Sequence, residues 1–262
     1  MTNHPKHFFR AAGAGLGMDV GLALVELLVA MLIGVILLLG LVKIAAGARS
    51  SFRLQEGLAE VQESGRFVLD SLGGILRQSA FSPEPWTDTA TAVGLSADTA
   101  DASSTVGDRL AVRTWSDRNC FGNPNPVTDE AGIPRFYLRE SVLELNTSED
   151  LVHTCRYGPA ADQFVTQLQR QGLVQHVEAF QVQFAEDTDG DGQSDRWVGG
   201  SAWLDEPHVL ALRLALLIRS SESVAEPVSR TYQVLDETFE AAADGRLRRV
   251  FSYSQTFLGR SG

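Results

Sequence analysis

The sequence lacks the cysteine and histidine patterns that usually mark zinc sites or metalloproteases. Its only two cysteines, Cys120 and Cys155, form no CxxC pair. Three histidines lie beyond the first 21 residues, and none belongs to an HExxH pattern or lies near a serine/aspartate pattern. The chain is therefore predicted not to be an enzyme, and these histidines are predicted to be structural or surface residues: His153, His176 and His208.

The sequence also lacks an excess of positive charge. It has 22 lysines and arginines against 33 aspartates and glutamates, which gives a net charge of −11 at pH 7. A strongly acidic surface repels phosphate backbones, so direct binding of nucleic acid is not expected.

Charge is nearly absent from Leu22 to Val42, where Glu26 is the single ionisable residue. As a helix, this run is about 32 Å long, enough to cross a bilayer. It could be a secretory signal peptide cleaved at the A-x-A-like site 46–48, a plain signal anchor, or an anchor whose glutamate has a partner on another chain. Apolar cores of signal peptides are shorter, about 7–15 residues. An unpaired carboxylate in hydrocarbon costs about 2.5–3.5 kcal/mol, so we favour the third interpretation.

The run GLALVEL, residues 21–27, resembles the processing motif of type IV prepilins. The resemblance implies that prepilin peptidase cleaves after Gly21 and that the new terminus, Leu22, is N-methylated. Glu26 is then the fifth mature residue, which in the family pairs with the free amine of a neighbouring subunit's first residue. The family usually has Phe where Leu22 stands and Thr where Ala23 stands.

No proline occurs from Leu22 to Ser82, and helical periodicity continues beyond the apolar run. Apolar residues recur there at alternating spacings of four and three, as one stripe. Pro83 and Pro85 are expected to end the element. This predicts a helix over 22–80, with a membrane part over 22–42. The stripe consists of Leu54, Leu58, Val61, Gly65, Val68, Leu72 and Ile75.

Two further segments resemble PilW-type minor pilins of the type IV pilus. One begins at Arg53 (RLQE) and continues as VQESGRF from Val61, and the other is LRRVFS from Leu247. Residues 82–107 and 121–150 carry no recognisable signature. The family resemblance implies a leader over 1–21, the long helix over 22–80 and an extracytoplasmic head over 81–262.

The remainder of the chain is rich in strand patterns. Residues 82–107 are rich in Ser, Thr, Ala, Asp and Pro without periodicity, which predicts an irregular surface segment. Several strands without intervening helices imply an antiparallel sheet packed on the long helix, hence a pilin-like α+β fold. Strands are predicted over 109–115, 177–184, 208–219, 231–235 and 247–257.

The two cysteines lie 35 residues apart, flanked by loop residues. Two buried thiols would suit a cytosolic protein, but an exported head favours a disulfide between Cys120 and Cys155. Such a bridge would be structural.

The segment DTDGDGQSD, residues 187–195, matches the first part of a calcium-binding loop. Four carboxylates within nine residues repel one another unless a hard cation neutralises them. Position 12 of the loop is Val198 rather than Glu and a strand precedes the segment, so it is not an EF-hand. A calcium loop between strands is favoured over a solvated acidic turn, and a DTDGDG element followed by D-x-aromatic also recurs in PilW-type heads. The predicted ligands are Asp187, Asp189, Asp191, Asp195 and the backbone carbonyl of Gln193.

The resemblance implies a minor pilin that helps to initiate or prime type IV pili at or near the tip, supporting adhesion or twitching motility. It implies as partners other minor pilins, the major pilin, prepilin peptidase and a tip adhesin. It also implies a bacterial inner-membrane location, with the head in the periplasm, before assembly into a surface pilus. Three alternatives remain open: a membrane-anchored calcium-dependent binding protein that never polymerises, a minor pseudopilin of type II secretion, and a secreted hydrolase released at Ala48.

Overall fold

The computed structural model describes residues 20–83, 94–101, 107–200, 202–203 and 208–257, with side chains from residue 24 onward. The predicted leader over 1–21 therefore lies almost wholly outside the described residues. The chain divides into two compact units, one ending at Phe52 and the other beginning at Arg53.

Helix α1, Val20–Leu76, is the only helix of more than one turn among the described residues. It contains a stretch long and apolar enough to cross a membrane. The large apolar side chains from Leu24 to Val42 are between 48% and 65% exposed. A continuous apolar surface of this kind requires lipid or other apolar helices around it.

Helix α1 ends four residues earlier than the prediction of residue 80. Ala80 has a φ of 64°, in the left-handed region, and its N–H donates to the carbonyl of Arg113 at 3.0 Å. The chain has therefore already left the helix and docked on the first sheet before Pro83. Proline is not the cause of the helix end, because tertiary pairing ends it first.

The head contains two antiparallel sheets and a separate hairpin. The first sheet joins five strands in chain order, β1 (Gly94–Leu95), β2 (Leu110–Ser116), β3 (Tyr137–Leu145), β4 (Leu151–Gly158) and β5 (Val165–Val174), with a short 3-10 turn, Ala161–Gln163, before β5. The second sheet has the order β11-β8-β6-β7, formed by β6 (Val177–Glu186), β7 (Arg196–Gly199), β8 (Val209–Ser223) and β11 (Arg246–Thr256). The hairpin is β9 (Arg230–Val234) with β10 (Glu237–Ala241).

The core of the head lies between the C-terminal part of α1 and the two sheets. Val68, Leu72 and Leu76 of the helix are buried against apolar side chains of the sheets. The architecture confirms the predicted α+β fold, a long helix packed on antiparallel sheets. Of the predicted stripe, Leu54 and Leu58 stay 37% and 43% exposed. The sheets contribute, among others, Leu110, Leu143, Phe180, Phe184, Leu212, Leu214 and Leu216 to this core.

Strand β8 is buried on both faces along its central part. Leu214 and Leu216 point into the main core, and Ala215 and Leu217 join a second cluster. The second cluster is covered by the β9–β10 hairpin through Val234. The alternation of leucines predicted a strand in this segment, but it did not predict the second apolar cluster on the other face.

The prediction of a loop or irregular surface segment over 82–107 is wrong for residues 94–96 and 99 of its described part. Gly94 and Leu95 form β1, paired antiparallel with Arg113 and Val112. Ser96 and Thr99 are only 1% and 5% exposed. Their hydroxyl groups find partners in the sheet, which explains why polar residues without periodicity can lie in the interior.

A buried arginine ties the C-terminal strand to the rest of the head. The side chain of Arg248 in β11 is 3% exposed and forms paired hydrogen bonds to Glu178 (2.6 and 2.8 Å) and to Asp244 (2.7 and 2.8 Å). Glu178 also forms an ion pair with Arg219 at 3.3 Å. The hydrogen bonds that Arg248 donates to Asp244 and, next in size of effect, to Glu178 raise the pKa of Arg248 above its ordinary value. This cluster joins β6, β8 and β11.

Glycines at eight-residue intervals let α1 approach β11 closely. Gly57, Gly65 and Gly73 face the side chains of Leu247, Phe251 and Tyr253, respectively. A Cβ at Gly65 would overlap the ring of Phe251, whereas one at Gly74 would meet nothing. The sequence did not distinguish helix bending from close approach as the role of these glycines, and close approach is the role observed at Gly65.

We expect Gly65→Ala to lower the free energy of unfolding by up to about 2 kcal/mol. Overpacking against Phe251 costs about 1–3 kcal/mol, and the helix propensity of alanine returns only about 1 kcal/mol. Gly74→Ala is the matched control and should raise stability by up to about 1 kcal/mol, because it gains propensity without a clash. Chemical denaturation of the full chain in detergent, followed by tryptophan fluorescence, measures both. Equal effects of the two variants would contradict the close approach.

Candidate functional site

The first candidate site is the beginning of α1. Glu26 is exposed on the helix and is surrounded in sequence by apolar residues. It has no ion-pair partner among the described residues. Gly21 and Leu22 lie in the first turn of the helix, and their side chains are outside the described part of the structure. Their predicted processing and pairing therefore stay predictions.

The second candidate site is the acidic loop between β6 and β7. The two strands pair from Gln183 with Gly199 to Glu186 with Arg196. At the base of the loop, the fully buried carboxylate of Glu186 pairs with Arg196 at 2.7 Å, and the N–H of Asp195 donates to the carbonyl of Glu186 at 2.9 Å. The loop thus lies between two strands, as predicted.

Three of the predicted ligands converge. Carboxylate oxygens of Asp187, Asp189 and Asp195 lie within 4.8 Å of one another. The position of Asp187, which is 4% exposed, is fixed by the N–H groups of Gly190 at 2.7 Å and Gly192 at 2.8 Å. Both glycines have positive φ values, 79° and 83°, which glycine adopts without strain.

A fourth predicted ligand, Asp191, stands outside this group. The carboxylate of Asp191 is not part of the cluster of converging oxygens. It accepts hydrogen bonds from the backbone N–H of Gln193 at 2.8 Å and from the side-chain amide of Gln193 at 3.2 Å. Thr188, which the sequence did not single out, donates its N–H and hydroxyl to Asp195 at 2.7 and 2.5 Å.

The loop favours ionised carboxylates. Desolvation raises the pKa of Asp187, but hydrogen bonds from the N–H of Gly192 and its neighbours outweigh it, so the pKa of Asp187 lies below its ordinary value. The hydroxyl and N–H of Thr188 lower the pKa of Asp195. Ionised oxygens held close together are the donor set that hard cations such as calcium prefer. The arrangement of these three aspartates could therefore bind a metal ion.

The two cysteines form a disulfide, which confirms that prediction. Cys155 lies in β4 and is 2% exposed, and Cys120 lies in the connection between β2 and β3. The N–H of Cys120 donates to the side-chain oxygen of Gln167 in β5 at 2.9 Å. The bridge therefore ties a long connection to the middle of the first sheet, away from the acidic loop in sequence.

Comparison with known proteins agrees with this architecture. The model of the family "Type IV Pilus-assembly protein W", PilW, matches residues 146–256, which include β4 to β11 and the acidic loop. Among solved structures, the chain is similar to a type IV-like pilin from Thermus thermophilus, with a TM-score of 0.50 and 17% sequence identity over 74% of this chain and 94% of that chain. At this identity the likeness concerns the fold. No curated protein sequence matches the chain.

The apolar helix α1 is consistent with membrane anchoring, and the head has the fold of a pilin. The matched region carries the acidic loop and the C-terminal arginine cluster described above. Residues 146–256 of the chain are thus similar to the PilW family of type IV pilus-assembly proteins, and the chain as a whole has a pilin-like fold.

Proposed function

We propose that this chain is a minor pilin that helps to initiate type IV pilus assembly and is incorporated at or near the pilus tip, where it supports adhesion or twitching motility. Its proposed partners are other minor pilins, the major pilin, prepilin peptidase and a tip adhesin. Before assembly it resides in the bacterial inner membrane with its head in the periplasm. The alternative is a minor pseudopilin of type II secretion, which would assemble through its N-terminal helix in the same way but in the secretion system.

Glu26 is the observation that carries this proposal. It is the only ionisable residue between Leu22 and Val42. A carboxylate in hydrocarbon is costly unless a cation neutralises it, and the described residues offer it no partner. Cleavage after Gly21 would create a positively charged amine on Leu22 of each subunit. That amine, on a neighbouring subunit, is the counter-charge that we propose for Glu26.

We expect Glu26→Ala to insert into the membrane normally but to be lost from sheared pilus fractions by at least about tenfold. The reason is that assembly loses its buried charge pair whereas membrane insertion becomes easier. Asp70→Ala is the matched control, because Asp70 is an exposed carboxylate on the same helix outside the apolar run. Immunoblots of membrane and pilus fractions measure both variants.

Normal incorporation of Glu26→Ala would defeat the proposal and favour an anchored protein that does not polymerise. The mass of the mature N-terminus separates the remaining alternatives. A chain that begins at N-methylated Leu22 supports the pilin, whereas one that begins at Arg49 supports a secreted protein released by signal peptidase.

We further propose that the acidic loop binds calcium through Asp187, Asp189 and Asp195, with Asp191 and the carbonyl of Gln193 as additional predicted ligands. When bound, the ion would neutralise the mutual repulsion of the carboxylates and fix the β6–β7 connection. Sites in extracellular modules bind calcium with micromolar or weaker affinity, which suits a solvent-exposed loop.

We expect calcium at about one hundred times its dissociation constant to raise the unfolding free energy by about 2.7 kcal/mol, a rise in melting temperature of about 5–10 °C. EGTA should reverse the shift. Asp189→Asn should abolish the calcium-dependent rise in melting temperature. Asp236 is an acidic residue of the β9–β10 turn, and Asp236→Asn should leave the rise unchanged. Differential scanning calorimetry of the full chain in detergent is the measurement. A melting temperature that changes with neither calcium nor EGTA would rule out the calcium site.

A further inference from the structure

A polar cavity of about 210 Å³ lies between the first sheet and the last turns of α1. Its floor is one face of the sheet, where the strand register places Arg139 and Ser141 of β3 beside His153 and Cys155 of β4. Gly74 of α1 also lines it. All of these residues belong to the compact unit that begins at residue 53. We call this space the Arg139 cavity.

The Arg139 cavity contains a positive charge without a counter-ion. None of the described residues that line it is an aspartate or a glutamate, although the chain has 33 of them. The guanidinium of Arg139 forms no ion pair among the described residues, and its one hydrogen bond goes to the side-chain oxygen of Gln78 at 2.5 Å. Desolvation lowers the pKa of Arg139, against smaller effects of Tyr157 and Asp117. Because arginine stays protonated in proteins, this partly buried cation favours a bound anion.

Two further polar groups of the cavity lack partners. The Nε2 atom of His153 is buried and has no hydrogen bond among the described residues. The hydroxyl of Ser141, a residue that is 6% exposed, likewise has no partner in the described part of the chain. Burial and, next, the charge of Arg139 lower the pKa of His153 to about 4. The imidazole is therefore neutral at pH 7 and has one N–H to donate to an anion.

The end of α1 does not account for the position of Arg139. Cations near the C-terminus of a helix often stabilise its last carbonyl groups. Here the carbonyls of Gly73, Ile75 and Leu76 already accept from the backbone N–H groups of the three residues that follow the helix. The hydroxyl of Ser79 also donates to the carbonyl of Leu76, at 2.6 Å. The guanidinium of Arg139 is bonded there only to a side-chain oxygen, so its remaining N–H groups are available to a ligand.

The volume of the cavity limits the size of its occupant. Pockets for drug-sized ligands have volumes of about 300–1,000 Å³, so this cavity is too small for such a ligand. At about 30 Å³ for each water molecule, its volume corresponds to about seven waters. A Cβ at Gly74 would meet no atom within 4 Å, so the free space extends to the backbone of α1. An inorganic anion or a short organic acid is of a suitable size.

We propose that the Arg139 cavity binds a small oxyanion, either phosphate or a short carboxylic acid. The guanidinium of Arg139 can donate two parallel hydrogen bonds to such an anion, as arginine does to phosphate and carboxylate groups. The hydroxyl of Ser141 and the N–H of His153 are the further donors. The disulfide between Cys120 and Cys155 lines the site and holds part of its wall in place. This activity is separate from the acidic loop and does not depend on the proposed role of the chain in pilus assembly.

Equilibrium dialysis of the full chain in detergent against radiolabelled inorganic phosphate at pH 7 tests the site. We expect saturable binding of one phosphate per chain, with a micromolar to millimolar Kd. Arg139→Gln should weaken this binding at least about tenfold, because charge-assisted hydrogen bonds are lost. Arg135→Gln is the matched control, since Arg135 is an exposed arginine just before β3 that does not line the cavity. The control variant should bind phosphate as the parent chain does.

Filling the cavity provides a second measurement that leaves every donor in place. Gly74→Leu puts a side chain into the free space and should abolish phosphate binding. Its melting temperature should not fall, because leucine favours a helix more than glycine does and its Cβ meets no atom. Gly47→Leu is the matched control, at a glycine of the same helix that also has no atom near its Cβ and does not line the cavity. Gly47→Leu should leave phosphate binding unchanged.

Competition experiments identify the class of anion. Sulfate and acetate should displace phosphate, whereas chloride at the same ionic strength should not, because a single spherical ion cannot accept from all three donors. Displacement by acetate at lower concentrations than by sulfate identifies a carboxylate site, and the reverse order identifies a phosphate site. The proposal is wrong if phosphate does not bind saturably, if chloride displaces it equally well, or if Arg139→Gln binds it as the parent does. The cavity would then hold water only.

Discussion

Arg248→Leu is expected to lower the free energy of unfolding by about 3–5 kcal/mol. The substitution removes one arginine from a cluster in which it forms paired hydrogen bonds to both Glu178 and Asp244. The side chain of Glu178 is only 11% exposed, so its carboxylate would be left poorly solvated. Removing one partner of a buried ion pair costs about this much. The longer ion pair of Glu178 with Arg219, at 3.3 Å, replaces none of the hydrogen bonds that are lost. Urea denaturation of the full chain in detergent, followed by tryptophan fluorescence, is the measurement.

Two variants test whether the cluster, rather than charge in general, is responsible. Arg249→Leu removes the neighbouring arginine, which is exposed and lies 5.6 Å from the Phe251 ring, and should cost less than about 1 kcal/mol. Arg248→Lys keeps the charge but cannot form two paired contacts, so its stability should fall between those of the parent and Arg248→Leu. Similar losses at positions 248 and 249 would contradict a specific role for the cluster.

Removing the disulfide by Cys120→Ala with Cys155→Ala is expected to cost about 3–4 kcal/mol. The two cysteines are 35 residues apart in sequence, and in the chain-entropy account a cross-link over a loop of this length restricts the unfolded chain by that amount. Alanine is the suitable replacement, because Cys155 is 2% exposed and a serine hydroxyl there would need a partner. The same denaturation experiment measures the loss.

Reductant supplies the control for this prediction. It should lower the stability of the parent chain to that of the double variant and leave the double variant unchanged. A loss below about 1 kcal/mol would mean that the unfolded chain is already restricted in this region, and it would contradict the entropic account.

The strands that the sequence predicted are those whose apolar residues alternate. Strands β2, β6, β8, β9 and β11 overlap the predicted ranges closely. Strand β3 was missed because Arg139 and Glu140 interrupt the apolar pattern. Glu140 is nevertheless fully buried, where it accepts from Arg113 at 2.8 Å and Arg156 at 2.9 Å. A local sequence window cannot contain partners 16 and 27 residues away, so a buried carboxylate resembles a surface residue.

Strand β5 was missed for the opposite reason. It lies at the edge of the first sheet, and most of its residues are exposed. A strand with little burial on either face carries no periodic signal. Strand β7 has only four residues and likewise lacks a pattern long enough to recognise.

For the acidic loop, the sequence predicted which residues converge but not how each carboxylate is hydrogen-bonded. Spacing predicted that a cluster of carboxylates would form, and Asp187, Asp189 and Asp195 do converge. Spacing could not show that Asp191 would accept from its neighbour Gln193, or that Thr188 would orient Asp195. Those features depend on the path of the backbone through two glycines with positive φ.

The two-sided burial of β8 has a consequence for the order in which the head can be completed. One neighbour of this strand, β11, and the hairpin that covers its outer face both follow it in the chain. Until those last residues have been synthesised and exported, Leu217 and its neighbours remain uncovered. A polypeptide truncated before Arg230 would keep this apolar surface exposed. Quality control in the envelope would therefore be expected to degrade C-terminally truncated forms rapidly, long before any question of fibre assembly arises.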